Sequence, residues 1–166
     1  MLMRLNDIAR GNRGFQLVEL LVVIALISIL VAIGVPTIVD QIRHLRLSRS
    51  VRDLATELNA ARLKAIAQNT KYRVSVTLPN TYLLQKWDTT TSSWVNDPSH
   101  GIKTIEPGIN ISNPAVNFIP VFYPNGTATV VDIPNGICMD NPSWTNDKMK
   151  ITVQGPTGMI TITTGC

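Results

Sequence analysis

One carboxylate, Glu19, lies at the edge of a long uncharged stretch. No other charge separates it from Arg13, and residues 20–39 contain no charged side chain. A carboxylate beside so long an apolar run is costly to place in a low-dielectric medium unless a cation compensates it. These residue types predict that Glu19 is functional and pairs with a positive group. The alternative is an interfacial carboxylate that reaches lipid headgroups.

The remaining titratable side chains form no catalytic constellation. His44 and His100 lie in different contexts, one on a predicted helix and one in a predicted loop. Asp132, Asp140 and Asp147 have no obvious base or metal partner, so plain solvation is favoured over a calcium site. No glycine-rich phosphate loop follows a predicted strand. We therefore expect neither an enzyme nor a metal site, and no cofactor.

The apolar run at residues 14–39 is the element that must position Glu19. Twenty helical residues span about 30 Å, which is the thickness of the hydrocarbon core of a bilayer. The preceding residues 1–14 carry three arginines and one aspartate, so the positive-inside rule leaves them in the cytoplasm. A cleaved secretory signal is disfavoured, because the run is too long and has no small-x-small site. A plain membrane anchor explains the length but not Glu19.

Residues 14–20, Gly-Phe-Gln-Leu-Val-Glu-Leu, closely resemble the class III signal of type IV pilins and type II secretion pseudopilins. The resemblance implies that a prepilin peptidase cuts between Gly14 and Phe15 on the cytoplasmic side, and that the new amine of Phe15 is methylated. Glu19 then corresponds to the fifth mature residue. In the family that residue neutralises the terminal amine of its own or a neighbouring subunit and sets the register of assembly. Gln16 departs from the more usual threonine at a permissive position.

Gly34 and Pro36 interrupt the apolar run near its end. Pro36 lacks a backbone N–H and disfavours the helical turn before it. A proline at this mature position is common in pilins, so the pair predicts a kink or a locally melted segment. A harmless kink near the membrane exit fits the same residues equally well.

Residues 40–69 continue as an amphipathic helix. Apolar residues recur at steps of three and four, at Leu47, Val51, Leu54, Leu58, Ala61 and Ala65. The opposite side is predicted to carry Arg46, Arg49, Arg52 and Lys64. The basic row that begins at Arg43 is interpreted as a solvated face, in preference to contact with lipid, DNA or another subunit.

From Tyr72 onward the apolar period changes to two, which predicts strands. We expect strands at residues 72–78, 81–88, 102–105, 109–111, 118–123, 127–133, 150–154 and 159–164. Residues 89–100 are polar and predict a loop, with Trp94 pinned to the sheet. Turns are predicted at Pro124-Asn125-Gly126 and at residues 155–158.

Two cysteines, Cys138 and Cys166, lie in the part of the chain that the resemblance places outside the cytoplasm. An even pair in an oxidising compartment favours a disulfide. The alternative is two free buried thiols, and a metal site is disfavoured because the histidines are distant in sequence.

Residues 122–128, Phe-Tyr-Pro-Asn-Gly-Thr-Ala, and the hairpin at residues 151–160 resemble segments of GspH/FimT-type minor pilins and pseudopilins. Some members of that family bind DNA through a glycine-arginine-x-arginine motif. The matching place here reads Gly158-Met159-Ile160-Thr161 and lacks both arginines. The formal net charge of residues 15–166 is only +2, which gives no strong nucleic-acid signal.

The resemblance and the residue patterns together predict a pilin-like α+β fold, in which a long transmembrane and amphipathic helix packs on a mostly antiparallel β-domain. The expected parts are a removed leader (1–14), the transmembrane part of the helix (15–39), its amphipathic continuation (40–69) and a β-rich domain (70–166). The expected function is that of a minor pilin or pseudopilin subunit of a type IV pilus or a type II secretion pseudopilus. The sequence does not distinguish these two machines.

The expected partners are prepilin peptidase, other pilins or pseudopilins, and the inner membrane. The chain should cross that membrane once, with its C-terminal domain in the periplasm, before it joins the filament. One alternative is a competence pilin that binds DNA for uptake, although nucleic acid is not favoured as a partner. Another is an ordinary membrane-anchored periplasmic protein, which would keep its leader.

Overall fold

The first element of the chain is a helix, α1 (Leu17–Ala67). The computed structural model describes residues 17–115, 117–130 and 136–166. It divides into two compact units that meet between Asp40 and Gln41. The first unit, as far as it is described, is the N-terminal part of α1. The second unit contains the rest of α1 and all of the strands.

The second part of α1 buries the predicted apolar stripe. Leu47, Val51, Leu54, Leu58, Ala61 and Ala65 are all fully buried, which confirms the spacing argument. The helix ends at Ala67, and Asn69 takes the left-handed conformation (φ 49°) that commonly caps a helix C-terminus. Arg46, Arg49 and Arg52 are exposed as predicted, whereas Lys64 is partly buried and bonded to a loop.

Ten short strands follow the helix. They are β1 (Tyr72–Thr77), β2 (Thr81–Asp88), β3 (Ser93–Asn96), β4 (Lys103–Thr104), β5 (Asn110–Asn113), β6 (Val121–Phe122), β7 (Ala128–Thr129), β8 (Ile137–Asn141), β9 (Trp144–Val153) and β10 (Ile160–Thr164). Valine, isoleucine and threonine are frequent in them, as is usual for half-buried strands.

The strands form two antiparallel sheets. The first sheet has the order β3-β2-β1-β6-β7, with β4 also paired to β2. The second has the order β10-β9-β8-β5. The buried side chains of both sheets and the apolar stripe of α1 form one hydrophobic cluster. In β1, Tyr72, Val74 and Val76 point into this cluster, and the intervening residues point away from it. The observed architecture is the predicted α+β fold.

The strand predictions were wrong in three places, one of which is that β9 begins at Trp144 and not at residue 150. The segment 89–100, predicted as a loop, contains β3, where Trp94 pairs with Trp87. Strand β8 was not predicted, because four of its five side chains are buried and its sequence lacks a period of two. The predicted strand at 127–133 is observed as β7, and the part from residue 131 onward lies outside the described residues.

Candidate functional site

The first candidate site is the surface of α1 at residues 17–39. Its apolar side chains are exposed around the whole helix, and Leu17, Leu30 and Ile33 are each at least 70% exposed. A helix on the surface of a soluble domain would bury one stripe and expose polar residues elsewhere. By length and composition α1 is able to cross a membrane. This surface therefore requires an apolar environment that the described chain does not supply.

Glu19 lies in the first turn of α1 and is exposed. Ser28, a polar side chain further along, donates a hydrogen bond to the carbonyl oxygen of Ile24 at 2.8 Å. The predicted cleavage residues Gly14 and Phe15 lie outside the described residues.

Helix α1 continues without interruption through Gly34 and Pro36. A Cβ on Gly34 would meet no atom within 4 Å, so no contact in the described chain requires glycine there. The proposed kink at these two residues stays a prediction.

Cys138 and Cys166 form a disulfide with their Cα atoms 6.0 Å apart. The bond ties the last residue of the sequence to β8, in the middle of the second sheet. Lys148 and Lys150 line a shallow cavity next to it.

Asp147, predicted to be simply solvated, contacts the helix instead. Its Oδ2 atom lies 2.8 Å from Nδ1 of His44. Within the second unit this contact joins the start of its helical segment to β9. Asp140 lies opposite Lys148 in the ladder between β8 and β9, and Asp132 lies outside the described residues.

A buried polar network lies under α1, and sequence reasoning missed it. Glu57 is buried on the helix, and its Oε2 atom lies 2.5 Å from Nζ of Lys103. Lys64, two turns further along, donates hydrogen bonds to Asp97 Oδ2 at 2.8 Å and to His100 Nδ1 at 3.1 Å. Because the lysine ammonium only donates, the ring hydrogen of His100 is assigned to Nε2, which lies 3.9 Å from Glu57 Oε1.

The surroundings of the network shift the pKa values of Asp97 and of the nearby Tyr82. Burial alone would raise the pKa of Asp97, but hydrogen bonds from Lys64 and Ser99 outweigh that effect and hold this pKa well below its usual range. Burial, together with the negative charges of Asp53 and Glu57, raises the pKa of Tyr82 to about 12. Asp97 is therefore ionised at neutral pH. Its bond to Lys64 and the contact between Glu57 and Lys103 fasten residues 97–103 to the helix. The available signal in the sequence was the position of Glu57, which directly precedes the stripe residue Leu58 and could therefore be expected near the buried side of the helix.

The turn that begins the segment Gly158-Met159-Ile160-Thr161, where the resemblance would place an arginine motif, closes the β9–β10 hairpin. Gly158 adopts a left-handed conformation (φ 60°), and a Cβ there would collide with the carbonyl oxygen of Gly126. Arg62 of α1 donates a hydrogen bond from Nε to the carbonyl oxygen of Thr157 at 3.1 Å. Gly158 at this place therefore has a packing role. Among the described residues, no group of three or more His, Cys, Asp or Glu side chains could hold a metal ion.

Comparison with known families and structures agrees with this geometry. Residues 9–35 match the family model of the prokaryotic N-terminal methylation motif. Two solved structures share the fold. The chain is similar to a structure of the minor pseudopilin EpsH from the type 2 secretion system of Vibrio cholerae, with 13% identity and a TM-score of 0.53, covering 72% of this chain and 97% of that one. A second structure of EpsH gives 12% identity and a TM-score of 0.52, covering 73% and 96%.

No protein of curated function matches the chain. At these identities the structural likeness shows the fold alone, and the motif match covers the N-terminal region alone. The chain thus combines the N-terminal methylation motif of type IV pilins with the α+β fold of a minor pseudopilin, as the GspH-type resemblance predicts.

Proposed function

We propose that this chain is a minor pilin or pseudopilin subunit that packs through residues 15–39 into a type IV pilus or a type II secretion pseudopilus. A prepilin peptidase cuts the precursor between Gly14 and Phe15, and the amine of Phe15 is methylated. The observation that carries the proposal is the apolar surface of α1, exposed on all sides and bounded by the single carboxylate Glu19. Such a surface is compatible first with lipid and then with the helices of other subunits.

Glu19 supplies the specificity of that packing. Cleavage creates an amine on Phe15, four residues before Glu19 and therefore about one helical turn away. In an apolar filament core each of these charges is costly alone and tolerated as a pair. A neighbouring subunit that slides out of register would leave both charges unpaired. The pair consequently favours one register, within a chain or between adjacent chains.

The orientation follows from charge and chemistry. The arginines of residues 1–14 favour the cytoplasmic side, which places the peptidase site there and the β-domain in the periplasm. The disulfide between Cys138 and Cys166 suits an oxidising compartment such as the periplasm. The inner membrane holds the precursor before assembly.

Processing is tested by the intact mass of the protein in cells that contain a prepilin peptidase. We expect the mass of residues 15–166 with one added methyl group and one disulfide. The matched variant Gly14→Val should retain residues 1–14, because the side chain blocks the close approach of the peptidase to the backbone. A wild-type chain that keeps its leader, in cells that cleave another pilin, would instead support an ordinary membrane anchor.

A further inference from the structure

The outward face of the first sheet carries aromatic rings and cations side by side. Tyr72, Val74 and Val76 of β1 point into the core, so Arg73 points outward. The register places Gln85 opposite Arg73, and Trp94 opposite Trp87. These side chains therefore share the face of the sheet that points away from the core.

The rings and cations form a continuous row across four neighbouring chain segments. The guanidinium of Arg73 lies 4.3 Å from the ring centre of Trp94, and the rings of Trp94 and Trp87 are 5.3 Å apart, edge to face. The ammonium of Lys71 lies 6.0 Å from the ring of Trp87 and 5.6 Å from the ring of Tyr123. All three rings are only partly buried. At the usual spacing of strands the row is about 14 Å long.

Hydrogen bonds hold this row in place. Arg73 donates from Nε to Gln85 Oε1 at 2.7 Å, and Gln85 Nε2 donates to Asn96 Oδ1 at 2.9 Å. Thr129 Oγ1 donates to the hydroxyl of Tyr123 at 3.0 Å. The face is thus organised before any ligand arrives, which reduces the ordering cost of binding.

The charge on this face has one sign. Among the described strand residues whose side chains point outward from the first sheet, none is an aspartate or a glutamate. Lys71 and Arg73 therefore place two positive charges beside the rings. These cations and rings favour an anionic partner with flat groups that can stack on aromatic side chains.

We propose that this face, hereafter the aromatic face, binds single-stranded nucleic acid. Unpaired bases stack on Trp87, Trp94 or Tyr123, and backbone phosphates contact Lys71 and Arg73. A duplex is a poorer partner because its bases are already stacked on one another. This inference goes beyond the filament subunit proposed above and does not depend on it. It also uses a surface separate from the turn at Gly158.

The test is fluorescence anisotropy of a labelled oligothymidylate with the full chain in detergent micelles. We expect saturable binding that weakens as salt rises between about 50 and 200 mM. Trp94→Ala should weaken binding at least about fivefold, the lower end for loss of one stacking ring. Trp94→Phe should restore most of it. Arg73→Gln should reduce the salt slope by about 0.7, the value for one phosphate contact to a single strand.

Arg52→Gln is the matched control, since Arg52 is an exposed cation on the outer side of α1, and its binding should equal that of the wild type. Thermal unfolding of each variant identifies a change of fold. If Trp94→Ala unfolds, Trp94→Phe and Arg73→Gln decide the outcome. The proposal is overturned by absence of binding at low salt, by equal affinity for a duplex of the same length, or by equal competition from an anionic polyuronate. Wild-type affinity in both Trp94→Ala and Arg73→Gln overturns it too.

Discussion

Lys103 Nζ lies 2.5 Å from Oε2 of Glu57, a carboxylate that is buried on the inner side of α1. The other oxygen, Oε1, accepts no hydrogen bond from the described residues. Lys103 is therefore the principal compensation for a charge that burial makes costly. The relationship fixes the short strand β4 against the helix.

Lys103→Met should destabilise the second unit, because it leaves the buried carboxylate of Glu57 without its partner. We expect a loss of about 2–3 kcal/mol, below the range for fully buried pairs, because the Lys103 side chain is 43% exposed. Urea unfolding of a fragment that begins at Gln41 measures it. Lys148→Met, at an exposed position, should change stability by less than about 0.5 kcal/mol. Equal effects of the two variants would contradict the role assigned to Lys103.

Asp97 should make stability depend on pH in acid. Its pKa is lowered in the folded chain, so the unfolded chain binds more protons between the two pKa values, and stability rises with pH there. The contribution is complete above about pH 5 and is lost progressively as the pH falls below about 4. Asp97→Asn should therefore cost about 2 kcal/mol at pH 7 and about 1 kcal/mol less at pH 3, which is about one pH unit below the pKa of Asp97 in the unfolded chain. Asp53→Asn, at an exposed position, is the control. A cost for Asp97→Asn that is the same at both pH values would refute this assignment.

The disulfide between Cys138 and Cys166 should stabilise the second unit. For a sequence separation of 28, the chain-entropy model gives about 3.5 kcal/mol. Urea unfolding with and without reductant should show this difference in the wild type. The same comparison should show no difference in Cys166→Ser, which has no disulfide to reduce. A reductant effect of similar size in both proteins would show that it acts elsewhere.

Gly158→Ala should be destabilising by about 2 kcal/mol or more. Alanine is strained in the left-handed backbone conformation of this position, and its Cβ would collide with the carbonyl oxygen of Gly126. Gly101→Ala is the matched control, since a Cβ there meets nothing within 4 Å. Thermal unfolding of the fragment compares the two. Similar midpoints for both variants would mean that the β9–β10 turn relaxes freely.

Local patterns were sufficient to predict the helix and most of the strands. The stripe from Leu47 to Ala65 repeats at helical spacing, and β1 and β2 alternate, so each signal lies within one element. The disulfide was favoured from the even cysteine count. Strand β8 was not predicted, because its side chains are buried at consecutive positions and such a pattern does not identify a strand by itself.

The buried polar network and the aromatic face could not be predicted, because each brings together residues that are distant in the sequence. Glu57 contacts Lys103, which is 46 positions away in the sequence. Arg73 of β1 contacts Trp94 of β3 because both strands pair with β2. Nothing in the sequence near Lys64 distinguishes it from the exposed arginines of the same helix. Its position was set by the loop that carries Asp97, which is a property of the fold.

The most direct test of the central claim is incorporation of Glu19→Ala into filaments. The variant removes the one carboxylate of residues 14–39. Ser28→Ala, in the same segment, removes a side chain that is bonded to the backbone of its own helix. Immunoblots of purified filaments or pseudopili, normalised to the processed chain in membranes, measure both. We predict normal processing of both variants, normal incorporation of Ser28→Ala and a loss of at least about tenfold for Glu19→Ala, in line with an unpaired charge in an apolar core. Incorporation of Glu19→Ala at the wild-type level would contradict the account.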